Sequence, residues 1–252
     1  MRRFVRVSGW WYRAENDQES NRSNAVTAEP PYTKPPQELK RAMQLYIIRH
    51  GESANNALGT EDSSYDEYMA ARSPDPVLTE IGEHQAELVG AHLAEAGYGI
   101  TELHCSAMVR AMQTALPIGQ ALGLQPRVWV DIHEHGGMFL GNPRNGDGIR
   151  SFPGISRREA SERFPGYELP EEMSNDGWWH GDYEDMEACA VRAQRVAKVL
   201  EGRAAEDDDS AIALVTHGTF IDQLLKAFTK QTETDQRIFY FKNNTAITHV
   251  DF

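Results

Sequence analysis

Cysteine is scarce. Cys105 and Cys189 are the two in 252 residues, too few for a disulfide framework and not spaced as zinc ligands, which leaves two reduced structural thiols. Long apolar runs are missing as well, and nothing approaches the roughly 18 residues that would span a membrane. The opening Met1-Arg2-Arg3-Phe4-Val5-Arg6-Val7 is basic, but no apolar core or small-residue cleavage site follows it. It makes a poor secretory signal, and the expected location is cytoplasmic. Positive charge is in deficit: 25 Lys and Arg face 38 Asp and Glu, for a formal charge of −13. That balance argues against nucleic acid or an anionic membrane as partner. An anionic substrate would have to be captured locally against this field, so clustered arginines carry more information here than in a basic protein. No internal repeat is visible.

What remains is an ordinary globular composition, 40% hydrophobic and 25% charged, long enough for a sizeable core. Residues 1–42 read differently from the rest. Glu15 to Glu38 is crowded with Asn, Ser, Glu and Pro and has no apolar period, which predicts a disordered extension. Trp10, Trp11 and Tyr12 are the one group there that could dock. Met43 stands just before the first strong strand, so a globular domain is expected over 43–252 and would be complete if it began there.

That strand, Leu45-Tyr46-Ile47-Ile48, ends abruptly at Arg49-His50-Gly51. A cation, an imidazole and free backbone N–H groups at one strand end suit a compact anion such as phosphate. Downstream, Thr79 is placed to cap a helix running to about Ala96, with Ile81, Leu88, Val89 and Leu93 as its apolar stripe and Gly97 as its stop. His92 falls near that stripe and reads as a packed core histidine. Ile100 to Cys105 predicts a second strand, Ser106 the cap of a helix to about Leu122, and Arg127 to Val130 a third strand leading to His133-Glu134-His135. Residues 138–183 show little periodicity and predict an insertion or lid. A helix over about 184–201, closed by Gly202, and a solvated turn at 206–209 precede a buried strand, Ala211 to Val215, which ends at Thr216-His217-Gly218. A helix from Thr219 to Phe228 follows. Ile238 to Phe241 and Ala246 to Val250 predict a closing hairpin across Asn243-Asn244. Alternating strands and helices give an α/β fold: a three-layer α/β/α sandwich on a mostly parallel sheet with an antiparallel edge.

Parallel strands deliver their carboxyl ends to one edge, so Arg49-His50, the turn leading to Arg110, Glu134 and His217 converge on one crevice. These residues resemble the histidine phosphatase superfamily, the phosphoglycerate-mutase-like enzymes. The likeness rests on Arg49-His50-Gly51-Glu52-Ser53 with Asn56, on Leu78 to Ala86, on Ser106 to Ala115, on Glu134 and on Val215-Thr216-His217-Gly218. It covers roughly 43–135 and 184–252 in order.

The resemblance implies a phosphoglycerate-mutase-like fold and a metal-independent phosphomonoesterase that needs no cofactor. His50 would be the nucleophile that forms a phosphohistidine. Arg49, Arg110 and His217 would hold the phosphoryl oxygens, with Asn56 as a further donor and Gly218 in the binding set, and Glu134 would protonate the leaving group. The partner implied is a small-molecule or protein phosphomonoester, with a homodimer left open. Fixed guanidinium and imidazole donors can replace a metal around a phosphoryl transition state. Two other readings stay open. His133-Glu134-His135 with His50 and His217 offers metal ligands, although consecutive strand residues point to opposite faces. A phosphate-binding module without catalysis is the other. Within the enzymes, Ala57 to Ser63 lacks the Trp-, Phe- and Gly-rich pattern that mutases use to grip a sugar acid, which favours a phosphatase over a mutase.

Overall fold

Apolar alternation, caps and glycine stops divide the chain into elements, seen in a computed structural model that describes residues 4–7, 10–13, 43–58, 64–206, 209–231, 239–240 and 242–252. In chain order these are β1 (Phe4–Val7), β2 (Trp10–Arg13), β3 (Gln44–Arg49), α1 (Ala54–Leu58), α2 (Tyr65–Ala71), α3 (Glu80–Ala96), β4 (Glu102–Cys105), α4 (Val109–Leu122), β5 (Arg127–Val128), a 3-10 turn (Val130–Ile132), β6 (Phe139–Asn142), β7 (Asp147–Ser151), α5 (Arg157–Arg163), α6 (Met186–Ala205), β8 (Ala211–Thr216), α7 (Gly218–Phe228) and β9 (Ile247–Asp251).

Among the described residues one five-stranded sheet runs β5-β4-β8-β3-β9. The first four strands are parallel and β9 closes the edge antiparallel to β3. Alternate side chains along each strand enter opposite layers. Ile48, Leu103, Cys105, Ala213 and Val215 face Val89 and Leu93 of α3 and Met112 and Ile118 of α4. Leu45, Ile47, Ile212 and Leu214 face Val196 and Leu200 of α6 and Phe220 and Leu224 of α7. The two cores on opposite faces make the expected three-layer sandwich. A fully buried side chain such as Phe220 or Ile47 contributes about 1.5–3 kcal/mol through the area it removes from water.

Several elements depart from the sequence reading. Within 1–42, β1 and β2 pair antiparallel with Val7 opposite Trp10, and β1 lies alongside β9. The β-branched and aromatic residues there favour extended backbone, while residues 14–42 lie outside the described residues. Thr79 caps α3 by accepting from Gly82 N at 3.1 Å, and Gly97 ends it at φ 64°, yet the buried face is Gly82, Ala86, Val89, Gly90 and Leu93. Ile81 and Leu88 are exposed, and so is His92, whose ring meets Tyr98 instead. Small residues replace the expected stripe because α3 packs close to α4: a Cβ on Gly90 would lie 3.0 Å from the Pro117 carbonyl oxygen.

The third strand stops at Val128 and becomes the 3-10 turn. Gly202 lies inside α6, whose N-cap is Asp185. The antiparallel edge is present, but the predicted hairpin is not: Phe239 and Tyr240 are outside any strand, and Tyr240 N donates to Asp222 Oδ1 at 2.8 Å. Ile238, Phe241 and residues 207–208 of the predicted turn lie outside the described residues. The segment 138–183 is ordered by a hairpin of β6 and β7 and by α5. It packs inward through Ile155, Phe164, Met173 and Trp178.

Candidate active site

β3 and β8 run side by side with Arg49 opposite Thr216, and the ladder extends one residue further through His50 N to Thr216 O at 2.9 Å. The next side chains out, His50 and His217, therefore meet, with ring centroids 5.1 Å apart. Beyond them the chain must turn in very little space. A Cβ on Gly51 would lie 2.4 Å from the Gly82 carbonyl oxygen, so the turn against the start of α3 excludes any side chain. Gly51 N donates to Thr114 Oγ1 at 3.0 Å, and Thr114 Oγ1 donates to Arg110 O at 2.7 Å. That chain of bonds sets the register of α4 against the end of β3 and brings Arg110 to His50.

The His50 tautomer follows from its neighbours. Its Nδ1 is 2.6 Å from Gly51 O, an acceptor only, so Nδ1 carries the proton. Its Nε2 accepts from Arg110 Nε at 3.2 Å. Burial, followed by the Arg110 charge, pushes the His50 pKa well below 6.5, against a smaller raising effect from the Gly51 bond. His50 is thus a neutral imidazole whose Nε2 lone pair faces a guanidinium. Asp75 steadies that guanidinium from behind, 3.7 Å from Arg110 Nη1, and Asp75 Oδ1 accepts from Val109 N at 3.1 Å. Burial raises the Asp75 carboxyl to about 6, with Arg110 opposing.

Arg49 Nη1 donates to Lys242 O, while Arg49 Nε and both ring nitrogens of His217 are buried with no hydrogen-bond partner. Buried donors of this kind are rare unless water or a ligand completes them. Asn56 Oδ1 accepts from Ser53 N and Ser53 Oγ, both at 3.1 Å, and from Asn244 Nδ2 at 3.2 Å, so its own amide N–H remains to donate. Glu134 leaves the 3-10 turn and reaches across to α7. Its carboxylate accepts from His135 N at 2.8 Å, Phe220 N at 3.1 Å and Thr219 N at 3.3 Å. The N-cap residue of α7, His217, makes no side-chain cap; Glu134 supplies one from another part of the chain.

Arg49, His50, Asn56, Arg110 and Glu134 line one cleft of about 120 Å³. His217 lies behind His50, fully buried, and Gly218 opens α7 with Arg49 Nε 3.4 Å from where its Cβ would be. His133 turns away from this cleft into a buried cluster with Trp178 and Trp179, where burial pushes its pKa down to about 3. Among the described residues no three His, Cys, Asp or Glu side chains gather with the spacing of a metal site, and no helix is long and apolar enough to cross a membrane.

Sequence reading missed Asp75, Thr114 and Asn244, which position the site without carrying its chemistry. Thr114 lies in the Ser106 to Ala115 motif four residues after Arg110, one helical turn on. Asp75 and Asn244 stand in connections where only the folded chain shows a partner. It also missed Arg192, fully buried inside α6. Arg192 grips the carbonyls of Asp131 and His133 at 2.7 and 2.9 Å and pairs with both oxygens of Glu184 at 2.8 and 2.6 Å.

Comparison with known proteins agrees with this geometry. The family model for the histidine phosphatase superfamily (branch 1) matches residues 45–252. A probable phosphoglycerate mutase GpmB from Photorhabdus laumondii is 32% identical over 138 residues, 53% of this chain and 57% of the relative. The PE-PGRS family protein PE_PGRS11 of Mycobacterium tuberculosis is 33% identical over 107 residues, 41% of this chain and 16% of its own length. The chain thus spans 57% of the length of the first of these relatives and 16% of the second. Its fold is similar to the crystal structure of an ecdysone phosphate phosphatase from Bombix mori, with TM-score 0.57 and 17% identity over 82% of this chain and 88% of that one.

Proposed function

Since the chain belongs to the histidine phosphatase superfamily, we propose that it is a phosphomonoesterase working through a phosphohistidine at His50. The observation that carries this reading is the pairing of His50 Nε2 with Arg110 Nε at 3.2 Å while Gly51 O holds Nδ1–H. A neutral imidazole fixed in that tautomer aims one lone pair at the place where Arg49, Arg110 and His217 converge donors.

In the first step His50 Nε2 bonds to phosphorus as the ester oxygen departs, and a protonated Glu134 gives its proton to that oxygen. Water then attacks the phosphohistidine, Glu134 takes a proton from it, and inorganic phosphate leaves with His50 restored. Phosphoryl charge is met throughout by guanidinium, imidazole and amide donors. Glu134 shares its carboxylate between three backbone N–H groups and the cleft, which ties the leaving-group step to the N-terminus of α7. A substrate hydroxyl in place of water would give mutase chemistry, which the similarity to GpmB keeps as the second reading.

Rapid-quench labelling with a phosphorylated substrate tests the proposal. One acid-labile, base-stable phosphate per chain, absent in His50→Ala, is expected, with release of inorganic phosphate in the same turnover. Label persisting in His50→Ala would overturn it, and return of the label to a second hydroxyl would convert it to a mutase.

A further inference from the structure

We propose that Asp222, buried in α7 away from the His50 cleft, is a positioning residue that holds Arg49 in the phosphoryl site through the segment 240–245. The inference rests on the phosphatase reading for what Arg49 grips, and on separate observations for how Arg49 is held.

The segment wraps the carboxyl end of β3. Thr245 N donates to Arg49 O at 3.0 Å, and Arg49 N donates to Ala246 O at 3.2 Å. Further contacts reach the site itself. Lys242 O accepts from Arg49 Nη1, and Asn244 Nδ2 donates to His50 O at 3.0 Å and to Asn56 Oδ1 at 3.2 Å. No regular structure holds these residues in place: Tyr240 and the run from Lys242 to Thr245 lie outside any strand or helix. Thr245 has φ 56°, a left-handed backbone that a β-branched residue adopts only where its surroundings impose it.

The anchor comes from α7. Asp222 is 1% exposed, and its Oδ1 accepts from Tyr240 N at 2.8 Å. Gln231, just past the end of the same helix, donates from Nε2 to the Tyr240 hydroxyl at 2.8 Å. Tyr240 is thereby fixed at its main chain and at its phenol, shortly before the Lys242 carbonyl that holds Arg49. His217 is the N-cap residue of α7, so one helix sets His217 directly and Arg49 through Asp222.

The packing of α7 gives no reason for a charge at this position. The Asp222 Oδ2 takes Lys226 Nζ at 2.7 Å and Gln223 Nε2 at 3.0 Å, and Lys226 is itself 5% exposed, in a helix that also buries Phe220, Ile221, Leu224 and Leu225. A buried ion pair gives a helix no more stability than apolar residues of similar volume would, and often less. What an ionised carboxylate does supply is a strong acceptor for a main-chain N–H. The N–H it takes belongs to the segment that carries Arg49. Lys226 answers the charge, and Oδ1 does the positioning.

Two double variants of the full chain separate positioning from packing. Asp222→Leu with Lys226→Met removes the ion pair and leaves Tyr240 N–H without its acceptor, in a core that stays filled. Asp222→Asn with Lys226→Met removes the pair but keeps Oδ1. Inorganic phosphate is the probe, titrated by phosphorus NMR, with melting temperatures measured alongside. The first variant should bind phosphate about tenfold or more weakly than the natural chain, the effect of roughly one charged contact, and the second within about threefold of it. In an Arg49→Ala background the loss caused by the first pair of changes should shrink to about threefold or less, because the group they position is gone. Equal affinities in the two variants, an undiminished loss without Arg49, or no phosphate binding in the natural chain overturns the proposal. If the phosphate results hold while nitrophenyl phosphate is not turned over, the phosphatase reading fails and the positioning role stands. Normal turnover with equal affinities in the two variants sinks the positioning role alone.

Discussion

Arg110 Nε donates to His50 Nε2 across 3.2 Å, so the nucleophilic lone pair is occupied by the residue that will later hold the phosphoryl group. An incoming ester must take over that guanidinium and leave Nε2 free to attack. The same contact helps keep His50 unprotonated, since burial and then the Arg110 charge lower its pKa well below 6.5. Phosphorylation of His50 by a nitrophenyl ester, whose departure leans little on Glu134, normalised to the dianion fraction of the ester, should therefore stay flat from pH 8 down through 6.5, with its acid limb lower still. Pre-steady-state bursts across pH 5–8 would measure this; a fall centred at 6.5 would show an ordinary imidazole and sink the argument.

Stability should follow pH by the same logic, with the sign set by the unfolded chain. His50, His133 and His217 all have lowered pKa values, His133 to about 3. The unfolded state therefore takes up protons first as pH falls below about 6.5, and folding weakens. Between pH 6.5 and 5.5 each such histidine costs about 1 kcal/mol. Asp75 works the other way, because its raised value of about 6 means the folded state binds a proton first, which offsets less than about 1 kcal/mol in that window. Burial lowers His104 and His135 in the same direction, so a net loss of at least about 2 kcal/mol is expected from urea midpoints at the two pH values. Equal midpoints would mean these rings are protonated or solvated in the folded chain.

Glu134→Gln has two expected consequences, because the carboxylate both serves the ester and caps α7. Turnover of an alkyl phosphate should fall about 10²–10⁴-fold and that of a nitrophenyl phosphate much less, since a general acid matters most for a basic leaving oxygen. The amide nitrogen also takes the place of Oε2 and turns an N–H group toward the Thr219 N–H, which should cost about 1–2 kcal/mol of stability. Equal kinetic losses on both esters, with the stability loss, would reduce Glu134 to a structural cap.

How much of this was legible depended on whether a residue's role is carried by local pattern. β3, β8 and α7 declare themselves by apolar runs that end in Arg49-His50 and His217-Gly218, and a parallel sheet then places those ends together without further information. His50, Arg49, Arg110, Asn56 and Glu134 duly share one cleft. The stripe on α3 was misread because hydropathy favours Ile81 and Leu88, whereas close approach of the Glu52 backbone selects Gly82, and of Pro117 in α4 selects Gly90, for their lack of bulk. Asp75 and Asn244 were illegible for another reason. Each sits in a connection without periodicity, and its partner is 30 or more residues away, so no local signal marks it. Residues 138–183 looked featureless because their hairpin is exposed on both faces along β7 and so lacks alternation.

The buried Arg192 and Glu184 pair should behave as a clamp on the loop that carries Glu134. Arg192→Met leaves Glu184 charged and unpaired in a site where it is largely buried, and a loss of about 3–5 kcal/mol is expected. Adding Glu184→Gln should recover a good part of that stability, yet not the leaving-group selectivity, because the Asp131 and His133 carbonyls still lack their donor. Denaturation and the two-ester comparison on the single and double variants would check this. Full kinetic recovery in the double variant would show that Arg192 does nothing for Glu134.

Trp178 decides between a lid and a core role for 138–183. Its side chain is 3% exposed, its ring meets His133 at 5.5 Å, and a Cβ on Gly154 would lie 2.3 Å from its Nε1, so the indole fills space that glycine alone leaves open. It does not border the His50 cleft. Trp178→Ala should therefore cost about 3–5 kcal/mol as a cavity, or roughly 6–20 °C in melting temperature for a chain of this size. Trp178→Phe should cost much less, since it keeps most of the apolar volume and removes an indole N–H that has no partner. Because the ring acts through packing, kcat/KM should fall in parallel for a phosphorylated acid and for a small aryl phosphate. A loss confined to the phosphorylated acid, at unchanged melting temperature, would instead place Trp178 over the substrate.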